Sequence, residues 1–395
     1  MPADAWCSMG MEKEGNLGGR MTHDDLEKKI ADMTRLSVRD GKKEVPDISH
    51  RPLATGDHQV TPKKDSPDTA RLSESDLKNE VAEITRLSAA INEKLNEFVV
   101  GNQEIINLIL IALLNEGHIL IEGVPGTAKT TIAKSMALIT GCSFNRVQGA
   151  VDIQPADMLG VRIFDTYKKE FVLRKGPIFT NILLIDEINR INPKSQSAFI
   201  EAMSERQITL DGITLPMQSP FFVIATQNPH EFEGTFPLIE VQRDRFMFSI
   251  RSDYLSAEDE LSIIKRAHSG QLHWDAFTRT ITPVLTQQVL KHFMQVVRQV
   301  TIEEPVLQYI RDLVVATRTH PDIELGGSSR ASVALINGGK AMAALNNRTY
   351  VIPDDIKRLF RAALIHRIIL SRDAEIEGLT RGQVIDEIVT KVEVL

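Results

Sequence analysis

The chain reads as an α/β protein, a parallel sheet flanked by helices and followed by a small all-helical domain. Three observations predict this. A glycine-bearing loop, Gly123-Val124-Pro125-Gly126-Thr127-Ala128-Lys129-Thr130, joins a short β-prone run to one with helical spacing. Two further apolar runs, at 181–185 and 222–225, end in polar residues, as strands buried on both faces of a parallel sheet do. After about Asp253 the alternation of helix and strand signals stops, and only amphipathic helical stretches follow.

Composition sets the frame. With 395 residues the chain is long enough for two domains with large cores. A net charge of −7 argues against nonspecific binding to nucleic acid or anionic membranes. Cys7 and Cys142 are the only cysteines, which excludes a disulfide framework and a cysteine-rich metal site. The first residues lack the basic and apolar regions of a secretory leader. The longest apolar run, 105–114 with Asn107 inside it, is too short to span a bilayer. A cytoplasmic protein is expected, with no membrane insertion.

In chain order, residues 1–72 are polar and read as a flexible extension with one helix candidate at 26–37. A second candidate at 77–88 nearly repeats it. Both place apolar residues at i, i+4, i+7 and i+10, both follow a capping-type start, and both end Thr-Arg-Leu-Ser. Residues 73–253 form the expected α/β domain. There the second helix runs on through Ile91 and Leu95, an apolar helix follows, and a strand at 118–122 leads into the loop. The loop's N–H groups and the helix start behind it converge on an anion. Lys129 can reach outer phosphates, and the Thr130 hydroxyl can ligate Mg²⁺. Ala128 stands where such loops carry glycine, and a methyl group fits there if the backbone is helical.

The next elements complete a nucleotide site. The run 157–176 alternates like a hairpin where a helix is expected, and 207–215 carries Asp211-Gly212 between β-prone runs, a hairpin signal. Asp186 and Glu187 end the strand at 181–185, facing the crevice where open α/β sheets bind ligands. There Asp186 would hold the Mg²⁺ shell and Glu187 would orient or deprotonate the attacking water. Asn228, at the end of the next strand, falls within reach of the γ-phosphate or that water. Arg243 and Arg245 flank Asp244 just before an apolar segment. The final domain, 254–395, has amphipathic stretches at 258–266, 287–300, 305–317, 330–345 and 354–370. Arg330 opens one of them, an end where the helix dipole disfavours a cation, so a phosphate-facing role would explain it.

The segments Gly-Val-Pro-Gly-Thr-Ala-Lys-Thr, Leu-Leu-Ile-Asp-Glu-Ile-Asn-Arg, Ala-Thr-Gln-Asn-Pro, Asp-Arg-Phe and Ser-Ser-Arg-Ala-Ser together resemble the AAA+ ATPases, most of all the MoxR family. The resemblance covers about 99–395, and the alanine before Lys129 is usual in that family. It implies ATP and Mg²⁺ as ligands, with the loop from Gly123 through Thr131 around the phosphates. Lys129, Thr130, Asp186 and Glu187 match the Walker residues and Asn228 matches sensor 1. Arg245 matches the trans-acting arginine finger, with Arg243 the neighbouring alternative, and Arg330 matches sensor 2. Val100 and Gly101 match the segment near adenine. The family further implies a homo-oligomeric ring, generally a hexamer, and places such hairpins toward its central pore.

The resulting expectation is an ATP-hydrolysing, chaperone-like remodeller that matures or activates partner complexes. Its protein clients would include a von Willebrand factor A-domain partner. The alternatives are a nucleic-acid-remodelling motor and a magnesium-chelatase-like motor subunit. Nucleic acid is disfavoured because the insert has basic residues but no DNA-binding module accompanies it. GTP is disfavoured because no Asn-Lys-x-Asp motif occurs.

Overall fold

A computed structural model describes residues 71–123, 128–228, 234–270 and 281–394. The helix expected at 26–37 lies outside the described residues, as do Val124, Pro125, Gly126 and Thr127 of the loop. Helix α1 (Glu74–Phe98) begins at Ser73, whose hydroxyl accepts the Asp76 N–H, an N-cap that satisfies an otherwise orphaned donor. Helix α2 (Gln103–Leu114) is apolar on nearly every face and buried along most of its length. Strand β1 (Ile119–Gly123) precedes the loop, and α3 (Lys129–Ile139) follows it.

Five parallel strands form the sheet, in the order β2 (Phe144–Gln148), β5 (Ile182–Asp186), β8 (Phe222–Gln227), β1, β9 (Phe248–Ser252). From β1 the chain returns at the far edge as β2. It then steps inward through β5 and β8 and passes over β1 to β9. The period-two alternation of strand side chains splits the apolar runs between two cores. Ile119, Ile121, Ile182, Leu184, Phe222 and Ile224 face one layer, with α1, α2, α3 and the C-terminal helices. Leu120, Leu183, Ile185, Val223 and Ala225 face the other, with α5 (Pro193–Glu205). Each central strand is therefore covered on both sides, which explains its continuous hydrophobicity.

Both inserts are hairpins. After the short helix α4 (Pro155–Leu159), β3 (Gly160–Asp165) pairs antiparallel with β4 (Glu170–Lys175). Strand β6 (Gln207–Leu210) pairs with β7 (Ile213–Pro216) around Asp211 and Gly212, both at positive φ. The short helix α6 (Glu240–Arg243) precedes β9.

The C-terminal part comprises α7 (Ala257–His268), α8 (Gln287–Gln299), α9 (Glu304–Thr319), α10 (Ser329–Leu345), α11 (Pro353–Leu364), α12 (Arg372–Ile376) and α13 (Arg381–Lys391). The helix expected over 354–370 ends at Leu364. Arg367 turns back into the sheet unit, and Ile369–Leu370 (β11) pairs with Ile323–Leu325 (β10), so a small ribbon interrupts the helices. Helix α1 packs on α8, α10 and α3. Its Thr85 hydroxyl donates to the Ala344 carbonyl at 2.9 Å, tying the helix to the end of α10. No helix among the described residues is long and apolar enough to cross a membrane.

Candidate active site

A cleft of about 340 Å³ opens at the C-terminal ends of β1, β5 and β8. Gly123, Ala128, Lys129, Thr130, Thr131, Asp186, Glu187 and Asn228 line it, joined by Arg146, Gln148 and Thr226. The first eight come from three separate stretches of the sequence, and the sheet order alone brings them together.

Asp186 is the hub. It ends a fully buried strand and is itself almost wholly buried. The Thr130 hydroxyl approaches its Oδ2 at 3.4 Å, and Thr226 Oγ1 donates to its Oδ1 at 3.3 Å. Arg146 Nε donates to Oδ2 at 2.6 Å. Among the described residues no three His, Cys, Asp or Glu side chains cluster into a metal cage. The hydroxyl and carboxylate of Thr130 and Asp186 nevertheless fit Mg²⁺, a hard cation that takes few protein ligands and keeps water and phosphate oxygens for the rest.

Glu187 stands in the left-handed region, at φ 57° and ψ 54°, a conformation costly for a residue with a Cβ and common at functional sites. Its N–H donates to Thr226 Oγ1 at 3.0 Å. Gly149 makes the turn possible. Its N–H donates to the Asp186 carbonyl at 2.6 Å, and a Cβ there would lie 2.1 Å from the Glu187 carbonyl oxygen. The Glu187 carboxylate accepts from Gln148 Nε2 at 3.1 Å and pairs with Arg190 at 3.3 Å. The carboxylate is thus held in place by two side-chain partners.

Lys129 opens α3 and donates from Nζ to the Gly123 carbonyl at 3.2 Å. Burial pushes its pKa down, and the charges of Asp186 and Glu187 push it back up. Ala128 before it is left-handed, at φ 57° and ψ 15°, so its methyl group carries strain that the glycine of the common pattern would not.

The remaining expected residues lie elsewhere. Val100 and Gly101 do not line the cleft. Gly101, at φ +70°, abuts Leu255 and Asp259 at the start of α7. Arg245 and Arg330 line a second pocket, with Glu116, Gly117 and His118 at the N-terminal end of β1. Five residues of strand separate the two pockets, about 16 Å at the usual rise. Neither arginine reaches the phosphate cleft of its own chain. Arg330 instead pairs with Asp244 at 3.1 Å, which offsets its unfavourable place at the start of α10. Sequence reasoning gave no role to Arg146, Gln148 or Thr226. Residues 144–148 carry no local signal of this role, and their partnership with Asp186 and Glu187 depends on β2 lying beside β5.

Residues 118–248 match the family model described as ATPase family associated with various cellular activities (AAA), and 315–388 match the AAA lid domain. The chain is 41% identical over 302 residues to the uncharacterised protein YeaC of Bacillus subtilis, covering 76% of this chain and 93% of that protein. It is 34% identical over 351 residues to Chaperone MoxR1 of Mycobacterium tuberculosis, covering 85% and 88%. A crystal structure from Cytophaga hutchinsonii, described provisionally as an ATPase, superposes with a TM-score of 0.75 at 37% identity, covering 81% of this chain and 98% of that one. With these relatives, the matched AAA and lid regions and the cleft at the strand ends, the chain belongs to the MoxR family of AAA+ ATPases.

Proposed function

We propose that the chain is an ATP-hydrolysing ring subunit, hexameric by family analogy, that remodels protein clients in the cytoplasm as a chaperone. The observation that carries this reading is the separation of two half-sites. Lys129, Thr130, Asp186, Glu187 and Asn228 gather at one end of the sheet, while Arg245 and Arg330 stand at the other. A head-to-tail ring would bring the second group of one subunit onto the first group of the next. Within the composite site, Lys129 and the N–H groups at the start of α3 bind the outer phosphates. Asn228 positions the attacking water, and the Glu187 carboxylate takes its proton. Thr130 and Asp186 would hold Mg²⁺, which when bound supplies positive charge to the phosphates. Arg245 and Arg330 of the neighbour balance the charge that develops on the transferred group. Val100 and Gly101 are assigned to the edge of the adenine site.

Hydrolysis would alter the angle between the sheet unit, 73–253, and the helical lid, 254–395, and the hairpins would transmit that motion. The β3–β4 hairpin exposes Ile163, Phe164, Tyr167 and Phe171, and Tyr167 is 98% exposed. Exposed aromatic side chains suit a protein client. The name of the relative MoxR1 accords with chaperone work, and a von Willebrand factor A-domain protein is the partner class proposed. The test is ATP turnover by the purified protein beside Glu187→Gln. The variant should bind ATP and assemble yet lose about 10²–10⁴ of its rate, the usual effect of a lost general base. The same variant, held in ATP, should retain clients in a pull-down. Stimulation of turnover by DNA or RNA would instead favour the nucleic-acid motor.

A further inference from the structure

The loop that carries Arg245 is fastened by residues far away in the chain. Asp244 precedes Arg245, and its carboxylate accepts from three places in the C-terminal helical part. Ser328 Oγ donates at 2.8 Å, Arg330 Nη1 at 3.1 Å and Arg367 Nε at 2.9 Å. Arg367 is the most enclosed of these, with its side chain 3% exposed. Its Nη2 donates to the carbonyls of Phe246 and Asp244, at 2.7 and 3.2 Å. Its Nη1 donates to the Met247 carbonyl at 3.2 Å and to that of Ala363. The neighbouring His366 hydrogen-bonds the Phe246 carbonyl through Nε2 at 3.0 Å.

The direction of these bonds is informative. A buried charge is costly unless its partners are complete, and simple adhesion between two layers is as well served by apolar packing. Here, apart from a bond back to Ala363 in α11, the guanidinium spends its donors on the backbone at 244, 246 and 247, immediately around Arg245, and on the one carboxylate that also holds Arg330. Arg330 and the backbone that carries Arg245 are therefore indexed to one buried fork. Lysine could match the charge of Arg367 but not its planar set of donors.

We propose that Arg367 and Asp244 are positioning residues for a composite cationic site, Arg245 together with Arg330, that the subunit presents to the triphosphate of its neighbour. The inference rests on the trans-acting reading of these arginines given above. It adds that the lid segment after α11 sets their geometry.

The experiment measures ATP turnover, nucleotide binding and assembly for Arg367→Lys. Misplacement of a charge-stabilising group by about 1 Å costs on the order of 10²-fold in rate, so kcat should fall by about that factor while KM for ATP and the oligomeric state hold. Mixing Arg367→Lys with Lys129→Ala should restore turnover, because the second variant cannot use nucleotide but offers intact arginines. Mixing Arg367→Lys with Arg245→Ala should not. Arg245→Ala mixed with Lys129→Ala is the control for the trans reading: absence of rescue there overturns that reading. Rescue of Arg245→Ala but not of Arg367→Lys overturns only the positioning role. Wild-type kcat for Arg367→Lys, or loss of assembly, also overturns it. If Arg367→Lys does not fold, Asp244→Asn, which keeps the size and the backbone acceptors, carries the same arms.

Discussion

Two side chains set chemical conditions that reach beyond their own contacts. Arg146 holds Asp186 Oδ2 at 2.6 Å, the oxygen that Thr130 also approaches. A divalent cation at Asp186 would share that oxygen with a guanidinium. Arg146→Gln should therefore lower the Mg²⁺ concentration needed for half-maximal nucleotide binding by a few-fold, the scale of the ~1 kcal/mol that a partly exposed pair contributes. Magnesium titrations of a fluorescent ATP analogue read this directly, and an unchanged or higher requirement would contradict it. His118 lies fully inside, where its Nε2 meets the Met203 carbonyl at 3.1 Å and its Nδ1 accepts the Val223 N–H at 3.1 Å. That pattern is complete only for the neutral ring. Burial, with the nearby Arg206 charge, lowers its pKa to about 4, against a smaller opposing effect of the Met203 bond. Because the folded pKa lies below the unfolded value of 6.5, this stabilisation is full above pH 6.5. It is lost as pH falls toward 4, at about 1.4 kcal/mol per pH unit. His366 is shifted downward too, chiefly by burial, so it steepens the same loss. Urea midpoints at pH 7.5 and 5 should drop less for His118→Gln than for the wild type, by roughly 2 kcal/mol in unfolding free energy. Equal drops would remove His118 from the account.

At the scale of elements, local signals were legible where one segment decides its own conformation. The β1–loop–α3 unit, the continuous run of β5, and both hairpins follow from periodicity and turn residues read along the chain. The signals failed where a distant partner decides. The stretch 354–370 keeps helical spacing, yet the helix stops at Leu364 because Arg367 is drawn to Asp244 and Ile369–Leu370 finds a strand partner at 323–325. Ala128 was compatible with a helical backbone, but the turn into α3 takes the left-handed form. The β3–β4 hairpin shows the converse, a local fold whose tip stays exposed. Phe164 and Phe171 meet edge to face across the strands, with ring centroids 5.3 Å apart, and still remain half exposed. Such pairs contribute to the ladder on the order of 0.2–1 kcal/mol, so the hairpin should survive their loss in part. Phe164→Ser together with Tyr167→Ser should leave basal ATP turnover near the wild-type rate while abolishing client capture by the Glu187→Gln background. Retained capture would show that the aromatic tip is not the contact.

At the scale of the whole molecule, the sheet acts as a spacer with opposite chemistries at its two ends. The candidate site was therefore legible only by halves. Residue types near Lys129, Asp186 and Asn228 announced a phosphate cleft, but nothing in the spacing of Arg245 and Arg330 said that β1 would hold them away from it. This separation makes a quantitative demand on a ring. Arg245→Ala subunits keep an intact Glu187, and Glu187→Gln subunits keep an intact arginine pair. Each is inactive alone, since comparable trans arginines are worth about 10³–10⁵ in rate. In a randomly mixed head-to-tail ring at equal concentrations, about a quarter of the interfaces join a working base to a working finger. Turnover should thus return to roughly that fraction of wild type if interfaces fire independently, and to less if they must fire in concert. Substituting Arg243→Ala for Arg245→Ala tests which arginine is the finger. Arg243 is the more enclosed partner of its ion pair with Glu240, at 3.1 Å within α6, so its loss should leave the complementation partner unnecessary. Turnover per subunit that stays constant on dilution to the monomer would defeat the shared-site account for both.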